Sequence, residues 1–407
     1  MSADAFPQRI GFAQAQAIVA AVAAAHVLPV ERRALTRALG AVLAEDVVAA
    51  AALPGFDNSA MDGFALRSAD GLAPRTLVGE QFAGPAHELA VGPGQCVRIT
   101  TGAILPAGSD AILIKEDATL EGGRVVPAQA CRAGQHVRRR GEDVAVGDTV
   151  LVAGQRLGPS QLSLAAALGL PELPVHRRPT VAVFTTGDEL RAPGQALAPG
   201  EIHDSNRSLL LSLLLAEGLE PVAWPVLPDE PARIASALRD AASAFDVVIT
   251  CGGVSAGEKD HVPELLQREG TVHFWKVRMR PGMPLLFGRL DQAHFLGLPG
   301  NPVSVLATFL TLGRALLDGI EGATAPRPAL RARLRADLRK THARLEFLRG
   351  RLACGDDGVL AVEPNPADGS HRLRAAAASN ALIVLPEGEG AWTAGTVLDV
   401  LPYADWR

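Results

Sequence analysis

The chain has 407 residues, 48% of them hydrophobic, with 39 Lys and Arg against 44 Asp and Glu for a formal net charge of −5. That length predicts two to four domains with real cores, and the acidic balance argues against a nucleic-acid partner, which calls for a basic face. With 12 Phe, 4 Trp and 1 Tyr there is little material for base stacking. The four cysteines, 96, 131, 251 and 354, predict neither a C-x-x-C metal site nor a disulfide framework, so a reducing cytoplasm fits.

In chain order, residues 12–48 read as two helices, with Ile18, Val22, Leu35, Leu39 and Val42 at helical spacing. Asp4 precedes them and no basic segment does, which favours an ordinary helix over a secretory leader. Residues 50–150 read as all-β, with short runs at 96–100, 111–114 and 124–126. Gly92-Pro93-Gly94 and Gly122-Gly123 look like hairpin turns. Residues 159–168 return to helix. Residues 178–320 alternate buried-type strands (180–184, 247–250, 294–298) with helical runs (209–217, 303–317), which predicts a parallel α/β sheet. Asp204-Ser205-Asn206 supplies side chains suited to a helix N-cap. Residues 323–328 look like a linker, and 329–407 read as β again, with strands at 381–385 and 396–401. The longest apolar runs, 17–30 and 209–216, fall short of the ~20 residues a membrane helix needs, so no membrane partner is expected.

Three of the α/β strands run straight into polar, glycine-containing loops: T-G-D-E-L (186–190), G-G-V-S-A-G-E-K-D (252–260) and P-G-N-P-V-S (299–304). Glycine permits positive φ and close backbone approach to a ligand. Successive free N–H groups make an anion-binding concavity, and acids a few residues on, such as Glu258 and Asp260, suit a hard metal ion. A tight turn with a solvated acidic tail explains any one loop alone. Three at one end of one sheet, where such sheets bind ligands, specify a cleft. Neither common nucleotide fingerprint is present, so nicotinamide and flavin are not expected, nor is haem. Cys251 reads as a small buried residue.

These loops resemble those of the molybdopterin molybdenumtransferases, the MoeA and gephyrin E-domain family. Upstream, F-D-N-S-A-M-D-G-F-A (56–65), R-I-T-T-G-A (98–103) and R-R-R-G-E-D (138–143) extend the likeness, which runs from about Phe12 to Trp406. The resemblance implies a multidomain α/β plus β fold. Its parts would be a central parallel α/β molybdopterin-binding-like domain at 177–322 and an inserted β domain at 49–146. A helical elongated domain from 1–48 and 147–176 and a C-terminal β-barrel-like domain at 323–407 complete it. It implies a cytoplasmic homodimer that inserts molybdate into adenylylated molybdopterin with release of AMP. Mg²⁺ would be its cofactor, and the upstream molybdopterin adenylyltransferase a contact. A pterin-binding scaffold or carrier, a pyrophosphate hydrolase and a tungstate-inserting relative are the alternatives.

Carried over residue by residue, the resemblance makes Asp62, Asp143, Glu189 and Asp260 catalytic, with Asp188, Glu189 and Asp260 as oxygen donors to the metal. Substrate binding falls to Thr101, Arg138, Gly187, Asp188, Asp229, Gly252, Gly253, Val254, Ser255, Lys276, Pro299, Gly300, Asn301 and Pro302. Molybdate falls to Arg280, Met283, Ser304, Arg344 and Arg349. One departure stands out. The family often reads K-P-G-K-P where this chain has Arg280-Pro281-Gly282-Met283-Pro284, so the second cation is missing. Arginine holds oxyanions by a bidentate fork and methionine offers no donor. Lys276, Arg278, Ser304, Arg344 and Arg349 are the residues that could compensate.

Overall fold

The computed structural model describes residues 6–254, 261–367 and 369–404. The chain divides into two compact units. One comprises Met1–Glu31, Gly40–Val42 and His176–Arg407, the other Arg32–Leu39 and Leu43–Val175.

The first unit is built on a seven-stranded sheet. Its elements are β1 (Gln8–Ile10), α1 (Phe12–Ala24), β2 (Val181–Thr185), α2 (Ser205–Ala216), β3 (Val222–Ala223), α3 (Pro231–Ala244) and β4 (Val247–Cys251). They continue with α4 (Val262–Glu269), β5 (Gly270–Val277), β6 (Leu286–Leu290), β7 (Ala293–Leu298) and the long helix α5 (Pro302–Ile320). The spatial order is β1-β5-β6-β7-β4-β2-β3. The strands β7, β4, β2 and β3 are parallel, but β6 runs antiparallel to both β5 and β7. The sheet is therefore mixed, not parallel as the alternation predicts. Only two residues, Asp291 and Gln292, separate β6 from β7, and so short a link joins antiparallel strands only.

Alternation along the strands divides the core. Val181, Val183, Val247, Ile249 and Leu296 face one layer, with Val19, Leu210, Leu214 and the apolar residues of α5. Ala182, Phe184, Val248 and Phe295 face the other, with Ile234, Leu238 and Leu266 of α3 and α4. Central strands buried on both faces explain why they read as unbroken apolar runs. Helix α5 is 19 residues long, with a mean hydropathy of 1.5, and passes the length and composition test for a membrane span that the apolar runs in the sequence reading fail. Yet 72% of it is buried inside the protein, where it caps the sheet. Its middle, Phe309–Gly313, is a π-helical turn.

The C-terminal part closes into a five-stranded barrel: β8 (Leu330–Leu334), β9 (Leu345–Cys354), β10 (Leu360–Pro364), β11 (Ala381–Leu385) and β12 (Val397–Pro402). Strand β9 pairs with both β10 and β11, which completes the ring. A short strand, Met279–Arg280, adds in parallel to the start of β9, with Arg280 opposite Glu346. That pairing helps tie the central sheet to the barrel, as does the packing of Phe347 and Leu382 into the core of the first layer.

The second unit carries a six-stranded sheet that includes Gly63–Leu66, Gln95–Ile99 and Ala111–Ile114. Gly122 and Gly123, at φ 55° and 80°, form the expected hairpin turn. Gly92-Pro93-Gly94 does not, because the strands Arg75–Gln81 and Gln95–Ile99 pair in parallel. The second helix expected within 12–48 is also absent. That segment forms a strand, Val30–Ala34, and a 3-10 turn, Leu35–Arg37. Pro29 and Val30 favour extended backbone, Gly40 at φ 73° interrupts any helix, and Leu39 is exposed to solvent.

Candidate functional site

Thr185, Cys251 and Leu298 end β2, β4 and β7 side by side in the register. The three polar loops therefore leave the sheet together, as their sequence predicts. Backbone bonds stitch them to one another. Thr186 N–H donates to the Cys251 carbonyl at 3.1 Å, Gly252 N–H to the Leu298 carbonyl at 3.1 Å, and Gly187 N–H to the Leu227 carbonyl at 3.2 Å. Gly252 sits at φ 90°, and a Cβ there would come within 2.9 Å of Thr186 Oγ1 and 3.1 Å of the Thr186 carbonyl. Only glycine lets these loops pack so closely. The same bonds consume two amides, those of Gly187 and Gly252, that the sequence reading assigned to the ligand. In the third loop Pro299 and Pro302 have no N–H, which leaves Gly300 and Asn301 as its donors.

The start of α2 locks onto this end of the sheet. Asp204, 2% exposed, accepts the Arg207 N–H at 3.0 Å and the Thr185 hydroxyl at 2.6 Å. The N-cap read from the sequence is thus also a brace for β2. Asn206 Nδ2 donates to the Gly300 carbonyl at 2.6 Å. Together these elements line a cleft that includes Gly187, Glu189, Asn206, Asp229, Gly253 and Asn301. Glu189 is exposed at its rim. Asp188 Oδ1 accepts the Asp229 N–H at 3.1 Å and so fixes the turn that presents Asp229.

Two assigned residues, and Cys251 beside them, take structural places. Val254 is 1% exposed, and its carbonyl accepts the Trp275 indole N–H at 2.9 Å. Its side chain is core. Lys276 lays its ammonium over the Trp275 ring, 4.2 Å from the centroid, and is not among the residues lining either cleft described here. Cys251 is 2% exposed, and burial pushes its thiol far up from the ordinary range, so it is not a nucleophile. Ser255 and Asp260 lie outside the described residues.

A second cleft adjoins the first. Arg280, Met283, Ser304, Arg344 and Arg349, all assigned to molybdate, line it together with Glu346 and Ser370. The sequence places these residues up to about seventy positions apart; the pairing of Met279–Arg280 with Leu345–Glu346 brings them to one place. Their roles differ. Arg349 is 2% exposed and donates to the carbonyls of Gly369 at 3.1 Å, Arg372 at 3.4 Å and Ala367. It anchors a loop. Arg280 pairs with Glu346, Nε to Oε1 at 3.5 Å. Arg344 is half-buried at the wall. Asn301 and His371 line both clefts. His371 was missed by sequence reading, since residues 329–407 show only strand patterning; its one signal is a histidine in the Gly-Ser-His turn 369–371.

Among the described residues no group of three or more His, Cys, Asp or Glu side chains gathers to hold a metal. Mg²⁺ commonly takes only one or two carboxylates, with waters and substrate phosphates filling the rest of its shell. Glu189 on an open cleft wall is compatible with that mode.

In the second unit, Asp62 Oδ1 accepts both the N–H and the hydroxyl of Thr101, at 2.8 and 2.9 Å. The Thr101 amide, more than its hydroxyl, holds the Asp62 carboxyl below the usual range. Arg138 is exposed on a two-residue strand paired with Asn58–Ser59, and Ser59 bonds the Gly102 and Ala103 backbone beside Thr101. Asp143 is exposed, its N–H donating to the Leu53 carbonyl at 3.0 Å. Asp57 orders the arginine segment, accepting Arg139 Nη1 at 2.7 Å and the Arg140 N–H at 2.8 Å.

Residues 10–169 match the family model for the MoeA N-terminal region (domain I and II), 182–319 that for a probable molybdopterin binding domain, and 331–403 that for the MoeA C-terminal region (domain IV). A molybdopterin molybdenumtransferase of Haemophilus influenzae is 39% identical, over 91% of this chain and 93% of its own. The chain belongs to the MoeA family. A second MoeA relative, molybdopterin molybdenumtransferase 2 of Mycobacterium tuberculosis, is 42% identical over 90% of this chain and 93% of its own. The crystal structure of a molybdopterin biosynthesis moeA protein from Pyrococcus horikoshii superposes with a TM-score of 0.82 at 27% identity, over 97% of this chain and all of that one. Mixed α/β architecture with a central molybdopterin-binding-type domain and a C-terminal barrel is thus the MoeA fold.

Proposed function

We propose that the chain inserts molybdate into adenylylated molybdopterin with release of AMP. Its family membership carries the broader role, that of a transferase in molybdenum cofactor biosynthesis. The observation that supports the finer reading is the common wall of the two clefts, Asn301 and His371. A reaction that joins a tetrahedral dianion to a phosphate-bearing pterin needs two adjoining binding places whose ligands can come into contact. One should favour phosphates and the other a small oxyanion, and reaction across a shared wall gains from proximity.

In this reading the strand-end cleft holds the pterin phosphates with Gly253, Gly300 and Asn301. Glu189, with Asp188 and Asp260, is the carboxylate set for Mg²⁺, which when bound neutralises charge on the bridging phosphates. The second cleft takes molybdate. Arg344 replaces the family lysine that Met283 lacks, and Arg280 supplies the other cation. Arg349, tied to three carbonyls, shapes the loop that carries Ser370 and His371. Asp62, Thr101, Arg138 and Asp143 act on the cleft of the partner subunit in a homodimer. Tungstate, of the same shape and charge, is the competing oxyanion.

The test is AMP release from adenylylated molybdopterin by the purified chain. Release should require both molybdate and Mg²⁺. Release without molybdate would mark a pyrophosphate hydrolase, and tight pterin binding without release under any condition would mark a scaffold.

A further inference from the structure

Every cationic cleft that must bind and then surrender a dianion faces the same difficulty. Enough positive charge to capture the ion also retains it. In the second cleft the ionisable side chains at the wall are Arg280, Arg344, Glu346, Arg349 and His371, so Glu346 is the only acid lining it among the described residues. Its residue is 8% exposed. Oε1 lies 3.5 Å from Arg280 Nε, and Oε2 lies 3.1 Å from His342 Nε2. Lys340 is also close enough to feel its charge, and His342 feels Glu346, Arg280, Arg344 and Lys340 together. Glu346 is thus one buried negative charge set among several basic groups, and it borders the cleft on one side and a second hollow, lined by Arg339 and His342, on the other. The backbone fixes it there, since Arg280 and Glu346 are register partners in adjacent parallel strands.

We infer that Glu346 acts through Arg280 as an internal counter-anion that limits how tightly the oxyanion cleft retains a dianion. The inference rests on the reading of that cleft as the molybdate site. A fixed carboxylate a few ångströms from the bound dianion repels it, and the repulsion is felt strongly in a partly desolvated wall. Removing the charge while keeping the shape should therefore tighten binding, which is the opposite of what loss of a merely structural residue would do.

The measurement is equilibrium binding of sodium molybdate to the full chain, with sodium sulfate as a control anion, together with KM and kcat for AMP release. Glu346→Gln should tighten molybdate about three- to tenfold at low salt, lower KM for molybdate, leave kcat no higher, and leave pterin binding unchanged. Glu346→Asp withdraws the charge from Arg280 by one methylene and should shift affinity the same way by less; it keeps the test open where the Gln variant fails to fold. Two folded variants that bind molybdate no tighter than the parent would overturn the inference. Arg280→Gln separates this from failure of the underlying reading. If Arg280→Gln loses molybdate and Glu346→Gln changes nothing, only the counter-anion role is wrong. If Arg280→Gln binds molybdate as the parent does, the cleft itself is misassigned, and the inference falls with it.

Discussion

The two clefts are built by opposite means. The strand-end cleft is made from backbone: loops that begin in register, glycines that allow one loop to press on the next, and carboxylates at the rim. The adjoining cleft is made largely from side chains: Arg280 and Met283 of the segment 279–284, Arg344, Glu346 and Arg349 in or beside β9, and Ser304, Ser370 and His371, with Arg280 paired opposite Glu346. A backbone-built site inherits the rigidity of the sheet. A site built from arginines depends on what holds each guanidinium, and in the second cleft Arg280 pairs with a carboxylate while Arg349 donates to backbone carbonyls. The first therefore suits a large ligand that must be oriented, the second a small anion that must come and go.

That contrast can be broken in several places. The largest effect should come from Glu189→Ala. AMP release should fall at least tenfold while the melting temperature moves by no more than a few degrees, since exposed positions are usually within ~0.5 kcal/mol of neutral. A large melting shift with activity retained would remove Glu189 from the site. Next, Arg344 and Arg349 should separate cleanly. Arg344→Ala should raise the molybdate concentration for half-maximal turnover about tenfold without much change in stability, as expected for loss of a charged hydrogen bond of roughly 1.5 kcal/mol or more. Arg349→Ala removes a buried side chain and its hydrogen bonds to three carbonyls, and should lower the melting temperature by several degrees. If the two arginines gave the same pattern, the division of roles would be wrong. Met283→Lys, which adds a cation where Arg344 already supplies one, should tighten molybdate by tenfold at most, and less as salt rises.

The smallest effect lies at the opposite end of β7. His294 is held neutral: burial, then His26, Arg289 and His273, lower its pKa to about 4, with Asp246 opposing. An unfolded chain protonates this histidine near its ordinary 6.5, so the stability it represents is present above that value and is lost as pH falls toward 4. The melting temperature should decline by a few degrees between pH 7 and 5, and His294→Phe should flatten that part of the profile.

Legibility followed the same divide. The strand-end cleft could be read from the chain because its signal is local: a short apolar run, then a polar loop with glycine, three times. The amide accounting could not be read, because whether Gly252 N–H meets a ligand or Leu298 depends on which strand lies next door. The second cleft was legible only through family resemblance, and the resemblance did not distinguish Arg344 from Arg349, which differ in burial and not in chemistry. His371 carried only the weak signal of a histidine in the Gly-Ser-His turn, and Glu346 sits in strand patterning that gives no hint of a site. The second helix expected within 12–48 is absent because helical spacing alone ignores Gly40, and the strands expected to be parallel are parallel, while the antiparallel β6, one short turn from β7, went unread.

The most direct test of two clefts with separate tasks is a crossed binding experiment. Arg280→Ala and Glu189→Ala proteins are titrated with molybdate and, separately, with molybdopterin in the presence of Mg²⁺. Arg280→Ala should lose molybdate and keep the pterin, and Glu189→Ala should weaken the pterin and keep molybdate. Equal loss of both ligands in either folded variant would contradict the account, because the two clefts would then be one site.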